Sequence, residues 1–167
     1  MKTLKQHIEE KLVINKNYKN DDKYFIYKLD KKVYLKIFDN NWPQFKDYKD
    51  KVYINGEHVE LNHLGRTIQK YEPGIYKVEI KDIDKITSCN HIFYFTRIIK
   101  IPYFDTSKVE NMEEMFGNCM DLKEVPLLDT KNVRNMWNMF SMCIRLNKET
   151  KQQWSKIYDF ETDTKIK

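Results

Sequence analysis

Asp105-Thr106-Ser107-Lys108-Val109-Glu110-Asn111-Met112-Glu113-Glu114-Met115-Phe116-Gly117-Asn118-Cys119 stands 24 residues ahead of Asp129-Thr130-Lys131-Asn132-Val133-Arg134-Asn135-Met136-Trp137-Asn138-Met139-Phe140-Ser141-Met142-Cys143. Aligned, the two segments share Asp, Thr, Val, Asn, Met, Met, Phe and Cys, and Leu122 with Leu146 extends the match to nine positions. Recurrence at a fixed period marks a repeat architecture, in which one unit cannot bury its apolar face alone but stacked units can. A worn third copy lies upstream. Ile86, Cys89, Ile92 and Phe93 fill the Val, Met, Met and Phe slots; after one deleted residue, Ile98, Ile101 and Pro102 match Leu122, Val125 and Pro126.

The spacing inside a unit predicts its local structure. Val109, Met112, Met115 and Phe116 fall at i, i+3, i+6 and i+7, one face of a short helix. Ser107 with Glu110 fits a capping box, with Asp105 and Thr106 as rival caps. Pro126 then forbids helix and forces an extended segment through Val125. Each unit is expected to be a short helical turn followed by a short strand.

The phrase Asp-Thr-x-x-Val-x-Asn-Met-x-x-Met-Phe-x-x-Cys-x-x-Leu resembles the BspA-like leucine-rich repeat of bacterial proteins. The resemblance covers residues 86–146, and the strand-rich approach through Val52–Gly56 and Gly74–Ile80 is similar to the lead-in of such proteins. It implies a right-handed solenoid of parallel strands with protein binding as its usual role. The expected class is therefore α+β: a short leucine-rich-repeat-like solenoid of about three units, with a β-rich N-terminal unit and a C-terminal helical cap.

Outward from the repeat, the expected organisation has four parts. Leu4, Ile8 and Leu12 at helical spacing make residues 1–18 an amphipathic helix. Residues 19–82 form a small mostly-β unit. In it Tyr24–Leu29 and Lys32–Phe38 read as one hairpin, Lys51–Ile54 and Glu57–Leu61 as another around Asn55-Gly56, and Pro73-Gly74 as a turn into a strand. Residues 83–147 carry the repeat. Residues 148–167 cap it with a helix over Lys148–Tyr158 that presents Trp154, Ile157 and Tyr158 together.

Composition narrows the function classes. The chain has 167 residues, 41% hydrophobic and 33% charged, enough for a packed core. It holds no alanine, and only Arg66, Arg97, Arg134 and Arg145 of its 30 basic residues are arginine. That is the residue usage of an AT-rich coding sequence, so lysine richness by itself does not signal nucleic acid. The net charge of +5 falls in residues 1–51, where basic and acidic side chains interleave as on a solvated surface. Met1–Asn15 has charges scattered through it and no uninterrupted apolar stretch, so no secretory signal peptide is recognisable. No membrane span is expected. The expected setting is the cytoplasm or a larger assembly such as a virion, with reduced thiols.

Neither catalytic residues, nor cofactor, nor metal site can be read from the sequence. Cys119 and Cys143 are one repeat apart and read as a core ladder rather than as ligands or nucleophiles. His7, His58, His63 and His91 are dispersed, and the four glycines form no phosphate loop. Asp105 and Asp129 could line a calcium edge, but a turn-and-cap role accounts for them more simply. The informative positions are those where the copies differ: Glu110, Glu113 and Glu114 become Arg134, Trp137 and Asn138. Glu110, Glu113, Arg134, Trp137 and Asn138 are the candidate partner-binding residues, with Trp137 either a binding anchor or a seat for the C-terminal helix. The expected function is a non-enzymatic protein-binding or structural module with another protein as partner. A phage or mobile-element protein, virion-associated or inhibiting a host protein, fits that expectation. The alternative is a nucleic-acid-binding protein that uses the basic N-terminal region.

Overall fold

The computed structural model describes residues 23–166; the helix expected at 1–18 lies outside them. In chain order the elements are β1 (Phe25–Leu29), β2 (Val33–Lys36), α1 (Phe45–Tyr48), β3 (Val52–Ile54), β4 (Glu57–Val59), β5 (Arg66–Tyr71), β6 (Gly74–Ile80), β7 (Ile98–Lys100), α2 (Lys148–Trp154), β8 (Tyr158–Asp159) and β9 (Thr164–Lys165). A five-stranded sheet runs β4-β3-β6-β1-β7 with every pairing antiparallel, beside a β2–β5 ribbon and a β8–β9 hairpin.

The Asn55-Gly56 hairpin forms as the sequence predicts. Val52 pairs with Val59 and Ile54 with Glu57, and the φ angles of 51° and 89° at Asn55 and Gly56 are the left-handed pair that a two-residue turn needs. The hairpin expected between Tyr24–Leu29 and Lys32–Phe38 does not form. β1 instead pairs with β6 and β7, and β2 pairs with β5. The long-range pairing buries four of the five β1 residues, Phe25, Ile26, Tyr27 and Leu29, which a two-stranded hairpin alone could not do.

The expected α+β class with a solenoid is overturned. The fold is β-rich: among the described residues the regular structure is chiefly antiparallel sheet, the two α-helices span four and seven residues, and parallel pairing is confined to the isolated bridges Lys100–Glu124 and Asn111–Asn135. No helix occurs between Ile86 and Leu146.

Backbone hydrogen bonding gives the reason. The amides of Met112, Glu114, Phe116 and Asn118 donate to the carbonyls of Asn135, Trp137, Met139 and Ser141 in the next copy. Those of Met115, Gly117 and Cys119 donate three residues back, to Met112, Glu114 and Phe116. An α-helix requires each amide to bond four residues back; here every second amide leaves the segment. Chained turns reproduce the i, i+3, i+7 apolar spacing without any helix. Left-handed residues recur four apart in each copy, His91 and Phe95, Glu114 and Asn118, Asn138 and Met142, and reverse the chain at the same two slots. Ser107 likewise caps no helix: its amide donates to Asp105 Oδ1 at 2.8 Å in a side-chain-closed turn.

The repeat phenylalanines pile up through the core. Phe93 and Phe116 stack at 5.8 Å and 8°, Phe116 and Phe140 at 5.6 Å and 13°, and Phe160 continues the pile at 5.6 Å from Phe140. Phe25 of β1 meets its other end, 5.2 Å from Phe93, so sheet and repeat share one core. At the C-terminal end Asn147 Oδ1 accepts from the Thr150 amide at 2.8 Å and starts α2. Trp154 meets Phe140 edge-on at 5.2 Å and donates Nε1–H to the Val125 carbonyl. The helix predicted to Tyr158 ends at Trp154, and Tyr158 enters the terminal hairpin. That hairpin extends the bonding of the copies, since the Asn138 amide donates to Asp163 O.

Candidate interaction surface

The recurring polar residues hold the frame. Asn111 Oδ1 accepts the Glu113 amide at 2.8 Å and Asn135 Oδ1 the Trp137 amide at 2.9 Å, the same side-chain turn in two copies. Asp105 and Asp129 close equivalent turns onto the amides of Ser107 and Lys131. The Ser107 bond holds the Asp105 carboxyl below the usual carboxylate range.

Four of the five predicted partner-binding residues are engaged within the protein. Glu110 and Arg134, one period apart, form an exposed ion pair at 3.9 Å. Glu113 Oε2 accepts from the amide groups of both Asn90 and Asn135 at 3.1 Å, which stitches three copies together. Asn138 is a left-handed turn residue with φ 53°. Trp137 differs: it is 50% exposed and lines a shallow pocket of about 420 Å³ with Arg134, Met136, Thr164, Lys165 and Ile166. It lies beside β9, whereas the aromatic seat of α2 is Phe140.

The thiols are withdrawn into the core, and His58 and His91 are engaged by neighbours nearer the surface. Cys89, Cys119 and Cys143 are buried free thiols, and Cys119 and Cys143 donate S–H to the carbonyls of Phe93 and Phe116, in each case in the preceding copy. Burial pushes the Cys119 thiol up to about 11 and the other two higher still, so none is an activated thiolate. His91 is held between Asn90 Oδ1 at 2.9 Å and Glu114 Oε2 at 3.1 Å, and His58 bonds the Asp50 carbonyl. Among the described residues no three His, Cys, Asp or Glu side chains converge as a metal ion requires. No helix of the described residues is long and apolar enough to cross a membrane.

Sequence reasoning missed two features of the repeat surface. The first is a column of alternating charge, one residue per copy. Asp121 is buried between Arg145, whose Nη1 donates to Oδ1 at 2.7 Å, and Arg97, whose Nη1 lies 3.2 Å from Oδ2 in ion-pair contact. Arg97 also reaches Asp30 at the end of β1, which ties the column to the sheet. The period alone could have revealed it, because the three residues are 24 apart. The second is a set of exposed apolar side chains, Phe95, Met120, Met142 and Ile144, in a repeat whose other large apolar residues lie mostly inward. The signal available was the slot shared by Phe95, Asn118 and Met142, where the middle copy is polar.

No curated protein and no solved structure matches the chain. One family model does, over residues 64–163, a span that starts ahead of β5, takes in every repeat copy together with α2 and β8, and ends just ahead of β9. The chain belongs to the family described as Mycoplasma protein of unknown function, DUF285.

Proposed function

We propose that this protein is a non-enzymatic module that binds another protein through the outward slots of its repeat. Trp137 carries the reading. An indole half in solvent, beside a guanidinium and at the mouth of a pocket of about 420 Å³, has the chemistry of an interface anchor. The rest of the frame supports it. Asx turns, inter-copy amide bonds and the phenylalanine pile hold a fixed backbone while the outward residues change from Glu113 to Trp137 and from Glu110 to Arg134. Such a surface can alter its recognition without altering its core. The BspA-like character of the motif belongs to the same proposal, as do the cytoplasm or a larger assembly as its setting.

The test is affinity capture from the native host with the full chain and with Trp137→Ala, read by mass spectrometry. A protein retained by the parent and lost by the variant, at unchanged melting temperature, supports the reading. Equal retention by both removes Trp137 from it, and capture of nothing beyond background sinks the protein-binding role.

A further inference from the structure

Of the six left-handed positions in the repeat, two carry large apolar side chains in solvent. Phe95 and Met142, with φ of 55° and 60°, occupy the slot that Asn118 fills in the middle copy. Asn is at home in that conformation, whereas a bulky apolar side chain strains it. Burial gives nothing back, since Phe95 is 59% and Met142 53% exposed. Strain without packing gain calls for another role.

Two residues further along, Met120 and Ile144 share the next outward slot and are 40% and 67% exposed. The bonds from Phe95 N to Gly117 O and from Asn118 N to Ser141 O fix the three copies side by side, which places the four side chains in one strip. Clustered exposed apolar residues mark an interaction site where single ones do not. Beside the strip runs the charge column, with Arg97 and Arg145 both about half exposed around a buried Asp121. Asp30, the other partner of Arg97, shares its charge with Lys28 at 2.9 Å. Three cations thus face two carboxylates, and the excess is positive.

We propose that this strip docks an acidic amphipathic segment of a partner protein, its apolar face on Phe95, Met120, Met142 and Ile144 and its carboxylates toward Arg97 and Arg145. Met, aromatic and Arg side chains are the types enriched at such contacts. The proposal rests on the protein-binding reading but uses a different turn of each copy from the one that carries Trp137.

The experiment titrates the full chain into two labelled helical peptides of roughly 18 residues, long enough to hold helix when bound. One carries Leu at i, i+3, i+4 and i+7 with Glu elsewhere; the other has Lys in place of Glu. Anionic phospholipid vesicles are the third probe. The Leu/Glu peptide is expected to bind at least about ten-fold more tightly than the Leu/Lys peptide. Phe95→Asn with Met142→Asn should weaken it at least about ten-fold, at an unchanged or higher melting temperature because Asn suits both positions. Arg145→Gln should weaken it several-fold, and Trp137→Ala not at all. Preference for the Lys peptide or for vesicles, absence of binding, or binding that survives the double Asn variant overturns the proposal. So does a dimer in sedimentation that the double variant dissolves, since the strip would then hold a second copy. If host capture depends on Trp137 while the strip variants bind normally, this proposal fails and the protein-binding reading stands.

Discussion

Replacing Phe116 by Ala removes a ring that is fully buried and stacked on both sides, 5.8 Å from Phe93 and 5.6 Å from Phe140. Truncating a core Phe costs about 3–5 kcal/mol in lost transfer energy and residual cavity. Two stacked neighbours and rigid inter-copy hydrogen bonds limit collapse into the void, which places the expected loss near 4 kcal/mol. Against a total of about 5–15 kcal/mol for a domain, that is a large share. Urea unfolding followed by tryptophan fluorescence reads it directly. With a slope of about 2 kcal/mol/M the midpoint falls by about 2 M, and the melting temperature falls by roughly 8–16 °C. Phe160→Ala, at the half-buried end of the pile, should cost only about 1–2 kcal/mol, and Phe95→Ala, in solvent, under about 0.5 kcal/mol. A loss below about 1 kcal/mol at Phe116, or equal losses at Phe116 and Phe160, refutes the continuous core.

Asp121→Asn should destabilise by about 1–2 kcal/mol, since two guanidiniums lose their shared carboxylate but remain half in water; a denaturation midpoint unchanged from the parent would show the column to be idle. Asn118→Val places a β-branched residue at φ 60° and should cost about 1–3 kcal/mol in a thermal melt, whereas a neutral result would mean that the turn is not held there. The carboxyls of Asp30, Glu79 and Asp82 are held below their ordinary range, first of all by hydrogen bonds from Lys28, Lys81 and Lys85. Their contribution is therefore present above the unfolded carboxyl values of about 4 and is lost as pH falls through the folded ones. Melting temperature should decline below about pH 4 and do so less in high salt; a flat acid limb contradicts this. The buried thiols behave in the opposite sense. Their stabilisation is full below the unfolded thiol value of about 8.5 and is lost as pH climbs toward the folded values. Iodoacetamide at pH 8 should label Cys89, Cys119 and Cys143 only after denaturation, and fast labelling of the native chain would place a thiol at the surface.

The period of the repeat and the identity of its core residues were legible in the amino-acid sequence, because recurrence needs no structural model. Ile86, Cys89, Val109, Met112, Phe116 and Phe140 all lie inside. Conformation was not legible to the same degree. Val109, Met112, Met115 and Phe116 carry helical spacing, yet successive turns closed three residues back give the same apolar rhythm. Asn111, Asn118, Asn135 and Asn138 were the discriminating residues, since Asn closes side-chain turns and accepts positive φ but is a poor helix former. The β1 pairing failed for a different reason. Local hairpin logic joined Tyr24–Leu29 to its neighbour, while the apolar residues of that strand needed two long-range partners to be covered. Trp137 was found because it broke a charged slot. Phe95 and Met120 were not, because an apolar residue beside a core motif reads as core.

The alternation of sign in the Arg97–Asp121–Arg145 column bears on how such a gene can change length. Repeats ordinarily grow and shrink by duplicating or losing a unit, and a uniform stack tolerates either. Here duplication of the middle unit would set one aspartate against its twin, and its loss would set the two arginines face to face. Inside the stack, only gain or loss of a neighbouring Arg–Asp pair of units keeps the signs in order. The column is thus a constraint on copy number in this chain: an internal unit gained or lost singly brings like charges together, whereas a substitution at an outward slot leaves the column untouched.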